Sequence, residues 1–249
     1  MLLIFSDLDA TLLDHNTYSF KEALPALQLI KQKKIPLILS SSKTYQEMIY
    51  IRKKLDNNDP FIYENGSGIY FKNKKVAFGS SYIEIHNILS KLKKQFSFLS
   101  FKDLGPLGIQ KETGLDFNSS IRASQREFTE PISWKDTKQQ LNKFKILLHQ
   151  QNLILLQGGR FLTVSSPQTK GDALLWIKKR YESLSHKKII TIGLGDSEND
   201  INMLKKTDKA VIVRHPKKKP PKISMHPSII TTNEIGPKGW NEAIINYIG

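Results

Sequence analysis

The chain contains no cysteine, which excludes disulfides and any thiolate metal site. No apolar run approaches the roughly 20 residues that a membrane span needs, so no membrane partner is expected. The run Leu2 to Phe5 is too short for the apolar part of a signal peptide and meets Asp7 at once. A cytoplasmic location is therefore the expectation. The six histidines show no His-x₃-His spacing, and no Gly-x-Ser-x-Gly elbow is present. Acidic residues are scarce too: 23 Asp and Glu stand against 38 Lys and Arg, a formal net charge of +15. Such a balance favours anionic partners through long-range attraction. The lysines are spread along the whole chain, and no basic stripe with interleaved aromatics marks a nucleic-acid face. No nucleic-acid partner is expected, although a basic nucleic-acid-binding protein is the alternative from a different class. At 249 residues the chain can form one large domain or two medium ones.

What is present is organised around Ile4-Phe5-Ser6-Asp7-Leu8-Asp9-Ala10-Thr11. Leu2 to Phe5 reads as a buried strand. Asp7 and Asp9 follow it two residues apart, and in extended backbone such residues point to one side. Both acids can then face one site at the C-terminal end of the strand, where open α/β sheets place ligands. Two ionised carboxylates side by side repel, and a site that keeps them charged usually holds a cation. Oxygen ligands suit Mg²⁺.

The first part of the chain alternates strand and helix. A helical stripe covers residues 20–33, with Pro25 in its first turn. A strand over 35–39 ends in Ser40-Ser41-Ser42-Lys43-Thr44. Those hydroxyls and the ammonium can donate to phosphate oxygens, and they can also cap the next helix, 45–55. A third strand, 61–63, closes with Glu64-Asn65-Gly66. The rhythm then changes. A hairpin over 68–78 turns near Asn73, a helix covers 82–96, and 98–115 is loop-rich. A strand is expected before Trp134, a helix over 135–151, and two strands, 153–156 and 161–164, bracket Gln157-Gly158-Gly159-Arg160. Residues 165–168 read as an exit linker. The alternation returns with a helix over 173–181, strands at 188–193, 210–213 and 229–231, and a final helix over 241–248. Residues 214–222 form a basic, proline-rich loop. The domain reading is a doubly wound core from 1–80 and 169–249, with an inserted α+β domain over 81–168.

Asp7-Leu8-Asp9-Ala10-Thr11, Ser41 with Lys43, Lys170-Gly171 and Gly195-Asp196-Ser197-Glu198-Asn199-Asp200 occur in this order, each beside a strand end or helix start. Together they resemble the four motifs of the haloacid-dehalogenase-like phosphatases. Five further stretches are similar to the mannosyl-3-phosphoglycerate phosphatase family: residues 41–44, 64–66, 126–131, 158–161 and 236–244. The resemblance covers nearly the full length. It implies a Rossmann-like core with an α+β cap that sets substrate specificity. It also implies Mg²⁺-dependent hydrolysis of mannosyl- or glucosyl-3-phosphoglycerate to the glycosylglycerate and phosphate, through an aspartyl-phosphate. The alternative on the same fold is another sugar phosphate.

By the same resemblance Asp7 is the nucleophile, and Asp9 protonates the leaving alkoxide and then activates water. Thr11 and Ser41 orient groups through their hydroxyls, and Lys170 neutralises the phosphoryl oxygens. Mg²⁺ sits on the Asp7 carboxylate, the Asp9 carbonyl and Asp196. Asn199 and Asp200 hold Asp196 or a metal-bound water. Substrate contacts are expected from Ser42, Lys43, Asn65, Arg126, Glu127, Gly159 and Arg160, with arginine suited to grip a carboxylate. Three departures stand out, one of them the basic stretch 214–222. Ala10 occupies a position where the family mostly has glycine, and Lys43 stands where sugar phosphatases of the superfamily often have arginine.

Overall fold

Strand β1 (Leu2–Ser6) is apolar up to Ser6 and buried beyond its first residue, as a strand covered on both faces must be. The computed structural model describes residues 1–157 and 161–249. After β1 come α1 (Leu24–Gln32), β2 (Leu37–Ser40), α2 (Tyr45–Lys54), β3 (Phe61–Tyr63), β4 (Gly68–Phe71), β5 (Lys74–Ala77) and α3 (Tyr82–Leu92). They are followed by β6 (Phe98–Ser100), α4 (Phe101–Thr113), α5 (Phe117–Ser124), β7 (Thr129–Trp134), α6 (Lys138–Gln150), β8 (Ile154–Gln157) and β9 (Leu162–Ser165). The chain ends with α7 (Lys170–Ser185), β10 (Ile190–Gly195), α8 (Ile201–Lys205), β11 (Lys209–Arg214), β12 (Ile229–Ile235) and α9 (Gly236–Ile248). These residues divide into two units. The first comprises Met1–Ser41, Asp59–Ile62 and Thr169–Gly249, and the second Ser42–Asn58 and Tyr63–Gln168.

The first unit is built on parallel pairs in the order β12-β11-β10-β1-β2-β3. The chain steps outward from β1 to β2 and β3, then returns to the other side of β1 for β10, β11 and β12. The order therefore reverses between β1 and β10. In open α/β sheets such a reversal opens a crevice at the strand C-termini. Leu3, Ile4, Phe5, Ile38, Leu39, Leu194 and Val211 are wholly buried in this layer.

Helix α7 starts where it does because Thr169 and Asp172 form a reciprocal cap. The Thr169 hydroxyl accepts from the Asp172 N–H, and the Asp172 carboxylate accepts from the Thr169 N–H. Lys170 is thereby fixed as the first helical residue. A Cβ on Gly171 would lie 2.5 Å from the Asn202 carbonyl oxygen, so α7 and α8 can approach this closely only with glycine there.

In the second unit β4 and β5 form a hairpin. Its two-residue turn, Lys72-Asn73, has φ of 48° and 60°, the positive pair that matches strand twist. A four-stranded antiparallel sheet runs β6-β7-β9-β8. Ile85 and Leu89 of α3 and Phe144 and Leu148 of α6 pack with Phe98, Ile132 and Val164 of that sheet.

Three stretches differ from the sequence expectation. Residues 98–115 are not loop: Ser100 and Asp103 form a capping box that starts α4. Gly105 breaks that helix at φ 59° and ψ 178°, and Pro106 follows the break, a position where its fixed φ suits a first turn. Helix α5 follows, capped by Asp116 on the Ser119 N–H. At the C-terminus β12 runs on to Ile235 and α9 opens at Gly236, because Pro237 sits in its first turn.

Candidate active site

The loops after β1 and β10 lie side by side, because those strands pair from Leu2 with Ile190 to Ser6 with Leu194. The Asp7 N–H extends the ladder by donating to the Leu194 carbonyl at 2.9 Å. Asp7 and Asp196 thus leave neighbouring strand ends in the same direction. Gly195 packs so closely on Asp200 that a Cβ would stand 2.5 Å from the Asp200 Cβ. Asp7, Asp196 and Asp200 are all buried, and each offers one carboxylate oxygen within 4.8 Å of the others.

One ammonium sits among these three acids. Lys170 Nζ donates to Asp7 Oδ1 at 2.6 Å and to Asp200 Oδ1 at 2.7 Å, and the Lys170 side chain is 1% exposed. Burial works against its charge, but Asp200 and Asp7 outweigh it and raise its pKa. Burial first, and then Asp200, push the Asp7 carboxyl well above the usual range, with Lys170 opposing them. Asp196 is pushed up to about 6 by burial and by Asp200. Three carboxylates against one ammonium leave an excess of negative charge in a buried space. That is the environment a divalent cation with oxygen ligands fits.

The three acids are not equivalent. Asp200 Oδ1 is held by Lys170, while its Oδ2 accepts from the Asp196 and Ser197 N–H groups, each at 3.2 Å. Asp200 therefore shapes the loop that carries Asp196. Asp196 Oδ1 accepts from the Thr11 hydroxyl at 3.1 Å, which ties the two loops together. The Ser197 hydroxyl has its closest acceptor in Asn199 Oδ1, at 2.6 Å. Asp9 is half-buried and forms a bridge with Leu13, and its charge also raises Asp7. Ser41 is buried just beyond β2, with its N–H on the Ile62 carbonyl. Ala10 has φ 60°, so the turn at this departure from glycine is left-handed and strained by roughly 1–2 kcal/mol.

Three residues of this unit are not among the site residues expected from the sequence. His215 follows β11 and is buried, its Nε2 4.0 Å from Asp196 Oδ2. Its Nδ1 accepts from the Lys217 N–H at 2.9 Å, which puts the ring proton on Nε2. Burial first, then Lys218, hold its pKa down to about 4, so it is neutral near pH 7. Ser6 and Trp240 are the other two. Position after a strand of the switch-point sheet was the one available signal for His215.

The second unit holds the remaining candidates. Glu64, Asn65 and Gly66 have φ of 48°, 59° and 101°, a left-handed turn directly after β3. The buried Glu64 carboxylate accepts from the Glu127 N–H, the Phe128 N–H and the Thr129 hydroxyl at 2.8, 2.9 and 2.7 Å. Arg126 donates from Nη1 to the Ser42 carbonyl and the Thr129 hydroxyl, and from Nε to the Ala123 carbonyl. Glu127 takes Lys75 at 2.5 Å and the Tyr63 hydroxyl at 3.1 Å. Ser42 and Lys43 are half-buried, and the Lys43 carbonyl accepts the Glu64 N–H. Asn65 Oδ1 is buried with no hydrogen-bond partner among the described residues. Gly159 and Arg160 lie outside the described residues.

Fold and site together define a doubly wound α/β protein with a buried carboxylate–lysine centre at its switch point. A model of the haloacid dehalogenase-like hydrolase family matches residues 4–157 and 110–234, and the chain belongs to that family. It is 36% identical over 259 residues to a glucosyl-3-phosphoglycerate/mannosyl-3-phosphoglycerate phosphatase of Persephonella marina, covering 98% of this chain and 96% of the relative. It is 37% identical over 270 residues to the Methanococcoides burtonii protein of the same name, covering 99% and 97%. Among solved structures, a Thermoplasma acidophilum protein superposes with a TM-score of 0.74 at 16% identity, covering 99% and 98% of the two chains. A haloacid dehalogenase-like hydrolase of Bacteroides thetaiotaomicron gives 0.72 at 19%, covering 98% of each.

Proposed function

We propose that this chain is a Mg²⁺-dependent phosphatase that hydrolyses mannosyl- or glucosyl-3-phosphoglycerate to the glycosylglycerate and phosphate. The observation that carries the reaction class is the buried Lys170 ammonium on Asp7, beside Asp196 and Asp200. The substrate class is supported by the two relatives, which align along nearly the whole chain.

Phosphoryl transfer needs a placed nucleophile and charge stabilisation more than covalent ingenuity. In this reading an Asp7 oxygen attacks phosphorus, the ester P–O bond breaks, and Asp9 gives its proton to the leaving alkoxide. Asp9 then takes a proton from water, whose oxygen attacks the phosphorus of the aspartyl-phosphate and frees Asp7 and phosphate. Lys170 balances charge on the phosphoryl oxygens, and Ser41 and Thr11 orient groups by hydrogen bonds. Asp7, Asp196 and the Asp9 carbonyl would hold Mg²⁺, which supplies charge neutralisation at the phosphoryl oxygens. Asp200, its oxygens already taken by Lys170 and two N–H groups, positions the loop instead.

We extend the proposal to residues 81–168 as the specificity-setting insert and to Ser42, Lys43, Asn65, Arg126, Glu127, Gly159 and Arg160 as substrate contacts. The buried, unsatisfied Asn65 Oδ1 supports its part, because such an acceptor costs free energy until a donor arrives. The Arg126 bonds to two carbonyls give that residue a structural duty as well. The test is phosphate release from both glycosyl phosphoglycerates against a panel of other sugar phosphates. Faster turnover of a simple hexose phosphate would move the substrate assignment to the wider sugar-phosphatase class.

A further inference from the structure

Trp240 plays no part in the chemistry above, yet it is fully buried, and its indole N–H leads to the nucleophile in two hydrogen bonds. Trp240 Nε1 donates to Ser6 Oγ at 2.9 Å, and Ser6 Oγ donates to the Asp7 carbonyl at 2.7 Å. We propose that Trp240 and Ser6 are positioning residues that fix the backbone of Asp7 and so aim its carboxylate. The inference rests on the reading of Asp7 as the nucleophile.

The direction of the relay is forced. An indole N–H can only donate, and buried it must find an acceptor. A serine hydroxyl has a single hydrogen. Once a lone pair of Ser6 is taken by Trp240, that hydrogen is directed elsewhere, and the Asp7 carbonyl receives it. The Asp7 N–H is meanwhile held by Leu194 at 2.9 Å. The nucleophile's two peptide groups are thus pinned on both sides, just before the chain enters the left-handed turn at Ala10. Without the relay, the Asp7 carbonyl would lose its hydrogen bond from Ser6, and the next backbone anchor would be the Leu8 carbonyl, which accepts from the Leu13 and Thr11 N–H groups.

The relay is itself anchored. Helix α9 opens with Gly236 at φ 52°, where a Cβ would lie 3.8 Å from the Ala10 carbonyl oxygen. A Cβ on Gly239 would meet the Glu234 carbonyl oxygen at 2.3 Å. Gly236 thus supplies the positive φ at the start of α9, and Gly239 lets the first turn fold tightly against the end of β12; that turn carries the indole to Ser6. Misplacing a reacting group by about 1 Å can cost on the order of a hundredfold in rate, so a relay that fixes this peptide acts on kcat.

The test is a double-mutant cycle with Trp240→Phe and Ser6→Ala, read as kcat, KM and thermal midpoint with the substrate of highest turnover. Each single variant should lose about tenfold in kcat with KM within about twofold. The double variant should be no worse than Ser6→Ala alone, because the two side chains act through one path. A lowered midpoint with unchanged kcat, or losses that multiply in the double variant, would overturn the inference. Asp7→Asn separates the two layers. If it is inactive while both relay variants keep full kcat, only the relay is wrong. If it keeps full turnover, the nucleophile assignment falls and the relay with it.

Discussion

Lys170 and Asp7 form a hydrogen-bonded ion pair, 2.6 Å between Nζ and Oδ1, with both side chains buried. Removing one member of such a pair leaves a buried charge uncompensated, which costs about 3–5 kcal/mol. Lys170→Met should therefore lower unfolding stability in urea by that amount in the absence of metal. Adding Asp7→Asn to it should restore part of the loss. If Lys170→Met melts like the parent chain, the ammonium is not compensating these acids.

The excess of carboxylate around Lys170 predicts a metal response that can be read without turnover. Mg²⁺ should raise the thermal midpoint of the parent chain, because it binds the folded protein and not the unfolded one. Asp196→Asn should lose most of that rise, and chelation should abolish phosphatase activity. Full activity in chelated protein would remove the metal from the mechanism.

Glu64 organises the second unit through three accepted hydrogen bonds. Glu64→Ala would leave two N–H groups and a hydroxyl without their acceptor, a loss of about 3 kcal/mol or more at 1–3 kcal/mol each. The pH dependence has a definite sign. Burial raises the Glu64 pKa in the fold, against the opposing charge of Arg126. The folded chain then binds a proton more readily than the unfolded chain, and stability falls as pH rises from the ordinary glutamate pKa through the higher folded one. Glu64→Gln should flatten that slope in urea melts taken across the window. An unchanged slope would show that Glu64 does not set it.

Ala10 separates strain from burial. Its φ of 60° costs roughly 1–2 kcal/mol. Glycine would remove that strain, but it adds about 0.5–1 kcal/mol of chain entropy and loses a buried methyl worth about 0.8. Ala10→Gly should accordingly be near neutral. Ala10→Val should lose about 2 kcal/mol or more, since a β-branched residue is an outlier in this region. Equal stability of all three chains would place Ala10 outside the left-handed region.

Much of the site was legible because its chemistry lies at strand ends. Asp7, Ser41, Lys170 and Asp196 each follow a short apolar run or open a helix; the parallel sheet sets the strand ends before Asp7, Ser41 and Asp196 side by side, and α7 carries Lys170 to Asp7. What stayed hidden depends on long-range packing. Nothing local links Trp240 to Ser6, 234 residues apart in the chain, and His215 reads as part of a basic loop until β11 carries it beside Asp196. Helix α4 was obscured by Gly105-Pro106, a real break of a single residue after which the helix resumes. Ala10 left the hand of its turn open, and only the backbone angle decides it.

A nucleophilic Asp7 acting on a glycosyl phosphoglycerate can be tested in one assay. The most direct measurement is steady-state phosphate release from mannosyl- and glucosyl-3-phosphoglycerate with Mg²⁺, for the parent chain and for Asp7→Asn. Rapid release from at least one of the two is expected for the parent chain, and a fall of several orders of magnitude for Asp7→Asn, as when a covalent catalyst loses its nucleophile. Undiminished release by Asp7→Asn, or no release from either substrate by a folded, Mg²⁺-bound parent chain, would contradict that assignment.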